Sequence, residues 1–122
     1  AIFEKGTRFD FLLKRKNKKI FLEVKNVTLS NNKNIAEFPD AVTERGNKHL
    51  LKLLEANKKG FETYILYLIQ RENINQFKIA DHIDHEYYSS FLKVRKNGVK
   101  VIAYDCSLNT KEVKVNKAIK IL

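Results

Sequence analysis

The sequence predicts an α/β fold, a mixed central β-sheet flanked by helices. Three observations lead there. Arg8–Lys14 and Lys19–Lys25 read as two short strands joined by a tight turn. A helical segment ending near Lys58 is followed by an apolar, β-branched and aromatic run from Phe61 to Gln70. A second helical segment, ending at Gly98, precedes another strand-like run, Val99–Cys106. Strand, helix, strand requires a crossover and so a partly parallel sheet.

The first hairpin carries the most information. With a two-residue loop at Lys16-Asn17, facing residue numbers sum to a constant. Phe9 then faces Val24, Phe11 faces Leu22 and Leu13 faces Ile20, giving one wholly apolar side. The other side sets Asp10 opposite Glu23, beside Lys25. A slip of one residue would destroy this sorting, so the register is well specified.

The remaining elements follow in order. Asn26–Leu29 continues the extended chain, and residues 30–34 (Ser-Asn-Asn-Lys-Asn) read as a loop. Asp40 or Thr43 caps a helix that runs to about Lys58 and stops before Gly60, with Val42, Leu50, Leu53, Leu54 and Ala56 on its apolar face. Gly46 inside that helix costs about 1 kcal/mol against alanine, which signals close packing or a nearby ligand. Phe61–Gln70 is apolar on both faces and reads as a buried central strand. Residues 71–83 read as irregular. Asp84 caps a second helix, whose Tyr87, Tyr88, Phe91 and Leu92 recur at helical spacing. Val99–Cys106 and a short edge strand, Val113–Val115, complete the sheet.

Composition narrows the function. The chain has 122 residues, 43% hydrophobic and 31% charged, enough for one domain with a core. Twenty-four Lys and Arg against fourteen acids give a net charge of +10. That balance favours a polyanionic partner, bound through counterion release. The longest apolar run, Tyr64–Ile69, is too short to span a bilayer, so no membrane partner is expected. A single cysteine, Cys106, excludes an internal disulfide and suits a reducing compartment. The oligomeric state is left open.

Two carboxylates directly across a ladder repel, and keeping them close calls for a cation between them. Asp10 and Glu23 offer hard oxygen ligands for Mg²⁺ or Mn²⁺. Lys25 beside them would orient a water or stabilise a pentavalent phosphate transition state. This is the ligand set of metal-dependent phosphodiester cleavage. The alternative is a surface quartet of Arg8, Asp10, Glu23 and Lys25 in cross-strand ion pairs. Glu44, Arg45, Lys48 and His49 crowd the first helix and would add an acid or phosphate contacts, or else form a solvated face. Gln70 and Arg71 close the central strand, where they would reach a phosphate or serve as ordinary strand-end groups. Residues 81–85 (Asp-His-Ile-Asp-His) invite a metal reading but suit helix capping better.

Arg8–Leu13, Phe21–Leu29, Phe38–Gly46 and Lys48–Leu50 together resemble the sugar fermentation stimulation protein A family. Gln70-Arg71, Ile83-Asp84 with Tyr87, and Gly98-Val99 with Ala103-Tyr104 are similar as well. The resemblance implies a cytoplasmic, DNA-binding protein linked to regulation of sugar metabolism. It also implies a restriction-endonuclease-like PD-(D/E)xK core, with Asp10, Glu23 and Lys25 on the motif positions and Pro39-Asp40 as a decoy. Arg8, Arg45, Lys48, His49, Gln70 and Arg71 would then contact nucleic acid, with Glu44 an additional acid. One nuclease-like domain over residues 1–122 is expected, without the family's N-terminal OB-like domain. Glu4 is the candidate for the acid that a preceding helix often supplies. A DNA-binding module on the same fold that does not cleave is the rival expectation.

Overall fold

The structure, a computed structural model, describes residues 1–4, 6–32, 34–108 and 113–122. A short ribbon of β1 (Ile2–Glu4) and β2 (Thr7–Arg8) precedes the hairpin of β3 (Phe11–Arg15) and β4 (Lys18–Val27). The hairpin forms in the expected register, Phe11 facing Leu22 and Leu13 facing Ile20. Its ladder begins at Phe11, so Phe9 and Asp10 lie just before the paired strand rather than within it.

Next come β5 (Leu29–Asn32) and β6 (Ile35–Phe38), an antiparallel pair where the sequence suggested a loop. Lys33, also assigned to that loop, lies outside the described residues. The helix α1 (Glu44–Lys58) is capped by Thr43, whose side chain accepts the Gly46 N–H; Asp40 is not the cap. Val42 precedes the helix and is 70% exposed, so it does not belong to the apolar face. Leu50, Leu53, Leu54 and Ala56 do, and all are buried.

β7 (Glu62–Ile69) follows, then β8 (Gln76–Ile79), inside a stretch expected to be irregular. The second helix, α2 (His85–Lys96), starts at its Asp84 cap. β9 (Lys100–Leu108), β10 (Val113–Ala118) and β11 (Lys120–Ile121) end the chain. Gly60 and Gly98, just past the two helices, have φ of +99° and +111°, a conformation that strains residues bearing a Cβ.

The central sheet runs β10-β9-β7-β4-β3. β4, β7 and β9 are parallel, and both edge strands are antiparallel to their neighbours. A second sheet runs β11-β8-β6-β5. The fold is therefore mixed α/β, as the sequence predicts, with a second sheet added. No helix among the described residues is long and apolar enough to cross a membrane.

Burial alternates along β7. Thr63, Ile65, Tyr67 and Ile69 are buried, whereas Tyr64, Leu66 and Leu68 are only half-buried. The buried set joins one core with Phe21 of β4, Leu50 and Leu53 of α1, Phe77 of β8, and Tyr87, Phe91 and Val94 of α2. Each fully buried aliphatic or aromatic side chain here contributes about 2 kcal/mol. Two residues of the hairpin's apolar side look away from this core, Phe11 at 52% and Leu13 at 48% exposed, whereas Phe9, ahead of the ladder, turns into it and is fully buried. The face that carries Phe21, Glu23 and Val27 is the one that packs inward, so the charged constellation lies at the edge of the core.

Gly46 is explained by packing between helices. A Cβ there would lie 2.9 Å from Thr43 Cγ2, 3.0 Å from Thr43 Oγ1 and 3.2 Å from Tyr87 Cε2. Gly46→Ala gains helix propensity of up to about 1 kcal/mol. It also presses on the capping threonine and on a fully buried tyrosine, at a cost of about 1–3 kcal/mol. A net loss of about 1 kcal/mol is expected in urea denaturation; a gain would mean that Thr43 moves aside freely.

Candidate active site

The site is built where β4 passes under α1. Glu23 sits in the middle of β4 and is only 2% exposed. Asp10, at the bend before β3, does not face it as a ladder partner. The two residues brace each other crosswise instead. Asp10 N–H donates to Glu23 Oε1 at 3.2 Å, and Asp10 Oδ2 accepts the Val24 N–H at 2.8 Å. One oxygen of each carboxylate is thus held by backbone, which fixes both side chains.

The second oxygen of Glu23 meets α1. His49 Nδ1 lies 2.6 Å from Glu23 Oε2, and Lys25 Nζ lies 3.7 Å from that oxygen and 3.3 Å from the same ring nitrogen. Lys25 reaches the group because residues two apart on a strand share a face. His49 reaches it because the crossover lays α1 over β4.

Electrostatics reflect this crowding. Burial, then the neighbouring Asp10 carboxyl, raises the Glu23 pKa from 4.5 to about 7, against the opposing pull of Lys25. His49 moves the other way: burial first, then the cations Lys25 and Arg45, lower its pKa. Both shifts run toward the neutral forms and so work against a full ion pair.

A basic cleft of about 270 Å³ adjoins His49, lined by Gly6, Thr7, Arg8, Arg45, Lys48, His49 and Lys52. The four positions expected to contact phosphate on β2 and α1 therefore converge. Lys52 was missed by the sequence reading, although the spacing 45, 48, 49, 52 traces one helix face. Its ammonium is shared with Glu4 and Glu55. Glu4 is thereby committed to Lys52 and Thr7, and it does not supply an acid to the site.

Three expected positions stand apart. Glu44 is exposed on the first turn of α1 and makes none of the contacts that join Asp10, Glu23, Lys25 and His49. Gln70 donates through Nε2 to Asn26 Oδ1, and Arg71 donates to the Thr28 carbonyl. Both fasten β7 to the chain leaving β4, and neither lines the basic cleft. In residues 81–85, Asp84 caps α2 and His85 pairs with Asp81. Asp40 is exposed.

Beneath the site, Tyr67 of β7 sits beside Lys25 in the ladder, and its hydroxyl lies 2.6 Å from that of Tyr87. Burial raises both phenol pKa values, so the pair is a neutral, rigid floor. Asp84 ties the helices together above it: Oδ1 accepts the Tyr87 N–H at 3.0 Å and Oδ2 the Thr43 N–H at 2.9 Å.

The donor set can be tested against a metal from its own chemistry. Among the described residues, no group of three or more His, Cys, Asp or Glu side chains is arranged to hold an ion. Two fixed carboxylates, one of them driven toward protonation by burial and by the other, nonetheless fit a hard divalent cation that keeps several waters.

Comparison with known proteins gives consistent results. A family model described as "Sugar fermentation stimulation protein RE domain" matches residues 2–112. A sugar fermentation stimulation protein homolog of Pelagibacter ubique is 55% identical over 122 residues, which cover 100% of this chain and 53% of that protein. One from Clostridium acetobutylicum is 44% identical over 119 residues, covering 97% of this chain and 51% of that one. The structure of Pyrococcus furiosus SfsA in complex with Ca²⁺ superposes with a TM-score of 0.88 at 21% identity, covering 96% of this chain and 51% of that one. The chain thus spans about half the length of these relatives.

Proposed function

The chain belongs to the sugar fermentation stimulation protein family, and from that premise we propose that it binds DNA and hydrolyses phosphodiester bonds with Mg²⁺ or Mn²⁺. The reaction would take place in the cytoplasm, and its connection to sugar metabolism would run through DNA binding. The observation that carries this reading is a buried acid set against an exposed one: Glu23, 2% exposed, is held against the solvent-exposed Asp10 with Lys25 alongside. A simple Glu23–Lys25 ion pair would be weakened by a second carboxylate at that place, because a nearby like charge disfavours ionisation of Glu23.

Asp10 and Glu23 would hold the cation, which when bound lowers the pKa of an attacking water and offsets charge on the phosphate. That a relative of the same fold is described in complex with Ca²⁺ supports a divalent ion here. The chain's own residues do the rest. The water oxygen forms the new bond to phosphorus and gives up a proton to solvent, the bond to the leaving sugar oxygen breaks, and that oxygen takes a proton from solvent. Lys25, 17% exposed at its side chain and 3.7 Å from Glu23, would donate to the phosphate oxygen where charge develops. His49, neutral because its pKa is lowered, holds Glu23 in place through Nδ1. Arg8, Arg45 and Lys48 would seat the phosphates flanking the scissile bond in the basic cleft. Gln70 and Arg71, fastened to β4, would support the site's edge.

The reading is tested by incubating supercoiled and linear DNA with the protein and Mg²⁺ or Mn²⁺. Cleavage that disappears with chelator and falls by about a hundredfold or more in Lys25→Met is expected, the usual scale for losing one electrostatic stabiliser. Metal-independent cleavage, or full activity in Lys25→Met, would refute it.

One observation favours a second reading. With two carboxylates and no third acid beside them among the described residues, the site is compatible with a DNA-binding module that retains the fold without cleaving. That reading requires steeply salt-dependent binding to DNA with no product under any divalent ion.

A further inference from the structure

The tip of the β3–β4 hairpin concentrates charge in a way the site does not explain. Residues 14–19 are Lys-Arg-Lys-Asn-Lys-Lys, five cations in six positions. All six are exposed. Lys14 stands directly opposite Lys19, and Arg15 opposite Lys18. Like charges facing each other across a ladder destabilise a hairpin. Lys16 adds backbone strain, with φ of +55° in a turn where glycine or asparagine would sit without it.

Among the described residues little offsets this charge beyond the attraction of Lys18 to Glu62. Among the described residues no carboxylate pairs with any of the five. Glu62, which borders them, is bound to Lys100 at 2.7 Å. Some cations elsewhere are partnered, as Lys52 is with Glu4 and Glu55. Lysines on an edge strand can act simply to prevent sheet-to-sheet pairing. A guard of that kind needs a charge or two along the edge. It does not call for repelling pairs on both faces of the ribbon and a strained lysine at the turn.

We propose that this hairpin is a second nucleic-acid contact, a β-ribbon that grips the phosphate backbone of duplex DNA away from the cleavage site. Register supports the geometry. Lys14 and Lys19 share the ribbon face of Glu23, and Lys19 lies four residues before Glu23 along β4, about 13 Å at strand rise. That distance corresponds to about four nucleotides of one duplex strand. A phosphate seated beside Asp10 and Glu23 would leave its neighbours within reach of the ribbon. The partner's negative charge would offset both cross-strand repulsions. The inference rests on the DNA-binding half of the function proposed above, but not on cleavage.

The test is a triple variant, Lys14→Gln, Lys16→Gln, Lys18→Gln, in the whole chain, binding a fluorescent duplex in chelator over a range of salt. Each lost phosphate contact lowers the slope of log affinity against log salt by about 0.9, so a drop approaching about 2.7 units with at least tenfold weaker binding is expected. The thermal midpoint should hold or rise, since repulsion is relieved. An unchanged slope and affinity, with binding still weakened by Arg45→Gln and Lys48→Gln, would overturn the inference and leave the proposed function standing. Capture of the wild type by phosphatidylserine vesicles without duplex binding would overturn it too. Ribbon-dependent duplex binding without any cleavage would support the inference and count against the nuclease reading instead.

Discussion

Glu23→Gln is expected to abolish metal-dependent cleavage and, in the same molecule, to stabilise the metal-free protein at neutral and higher pH. The carboxyl group is 2% exposed, and burial with Asp10 beside it raises its pKa from 4.5 to about 7. The folded state therefore binds this proton more tightly than the unfolded chain. The resulting stability is complete below about pH 4.5 and is lost as pH rises through about 7, a total of at most about 3 kcal/mol. Glutamine is neutral throughout and keeps an oxygen for the Asp10 N–H. The gap between variant and wild type should thus open with rising pH in chelator, by about 1–3 kcal/mol at its widest. Cleavage should fall by about a thousandfold or more, because a ligand and its charge are lost together. Thermal melts across that range, with single-turnover cleavage on the same samples, check both halves. A variant less stable than wild type at high pH would show that the acid pair is not under electrostatic stress.

Asp84→Ala should produce the largest loss of stability among polar substitutions. Its carboxylate is 6% exposed and accepts two backbone N–H groups, from Tyr87 at the start of α2 and from Thr43 before α1. Alanine removes a helix cap and leaves a buried donor at Tyr87 and a half-buried one at Thr43 unsatisfied, a cost of about 3 kcal/mol. In a domain of this size that corresponds to about 10 °C in thermal midpoint. Thr43 is also the cap of α1, so the first turn carrying Arg45 and leading to Lys48 and His49 should loosen. DNA affinity should weaken although Asp84 is not in the cleft. Asp84→Asn, which keeps an acceptor, should recover part of both losses. An unchanged midpoint in Asp84→Ala would mean that water replaces the carboxylate at both N–H groups.

These expectations depend on features that differ in how far the sequence discloses them. The hairpin register was legible because alternation pins Phe11 to Leu22 and Leu13 to Ile20. The direction that this apolar side faces was not: Phe11 and Leu13 remain half-exposed, since α1 and α2 cover the opposite face. Asp10 and Glu23 were paired correctly as neighbours. Their crosswise hydrogen bonds depend on a bend before β3 that no residue pattern announces. Arg45, Lys48 and Lys52 share a helix face that spacing alone discloses, whereas the contact of His49 with Glu23 exists only because the crossover lays α1 over β4. β6 and β8 escaped notice because each has four residues and takes its identity from parallel pairing with the other, Ala36 against Phe77. So short a run carries too little periodicity to separate strand from loop. Gln70 and Arg71 were ambiguous, and their hydrogen bonds to Asn26 and Thr28 give them a fastening role.

The central claim is that Asp10 and Glu23 form a cation site, and calorimetric titration with Mn²⁺ tests it most directly. Wild type should bind with defined stoichiometry and release protons near neutral pH, because the ion displaces the proton held on Glu23. Glu23→Gln should bind nothing under the same conditions. Equal binding by wild type and Glu23→Gln, or none by wild type, would contradict the account.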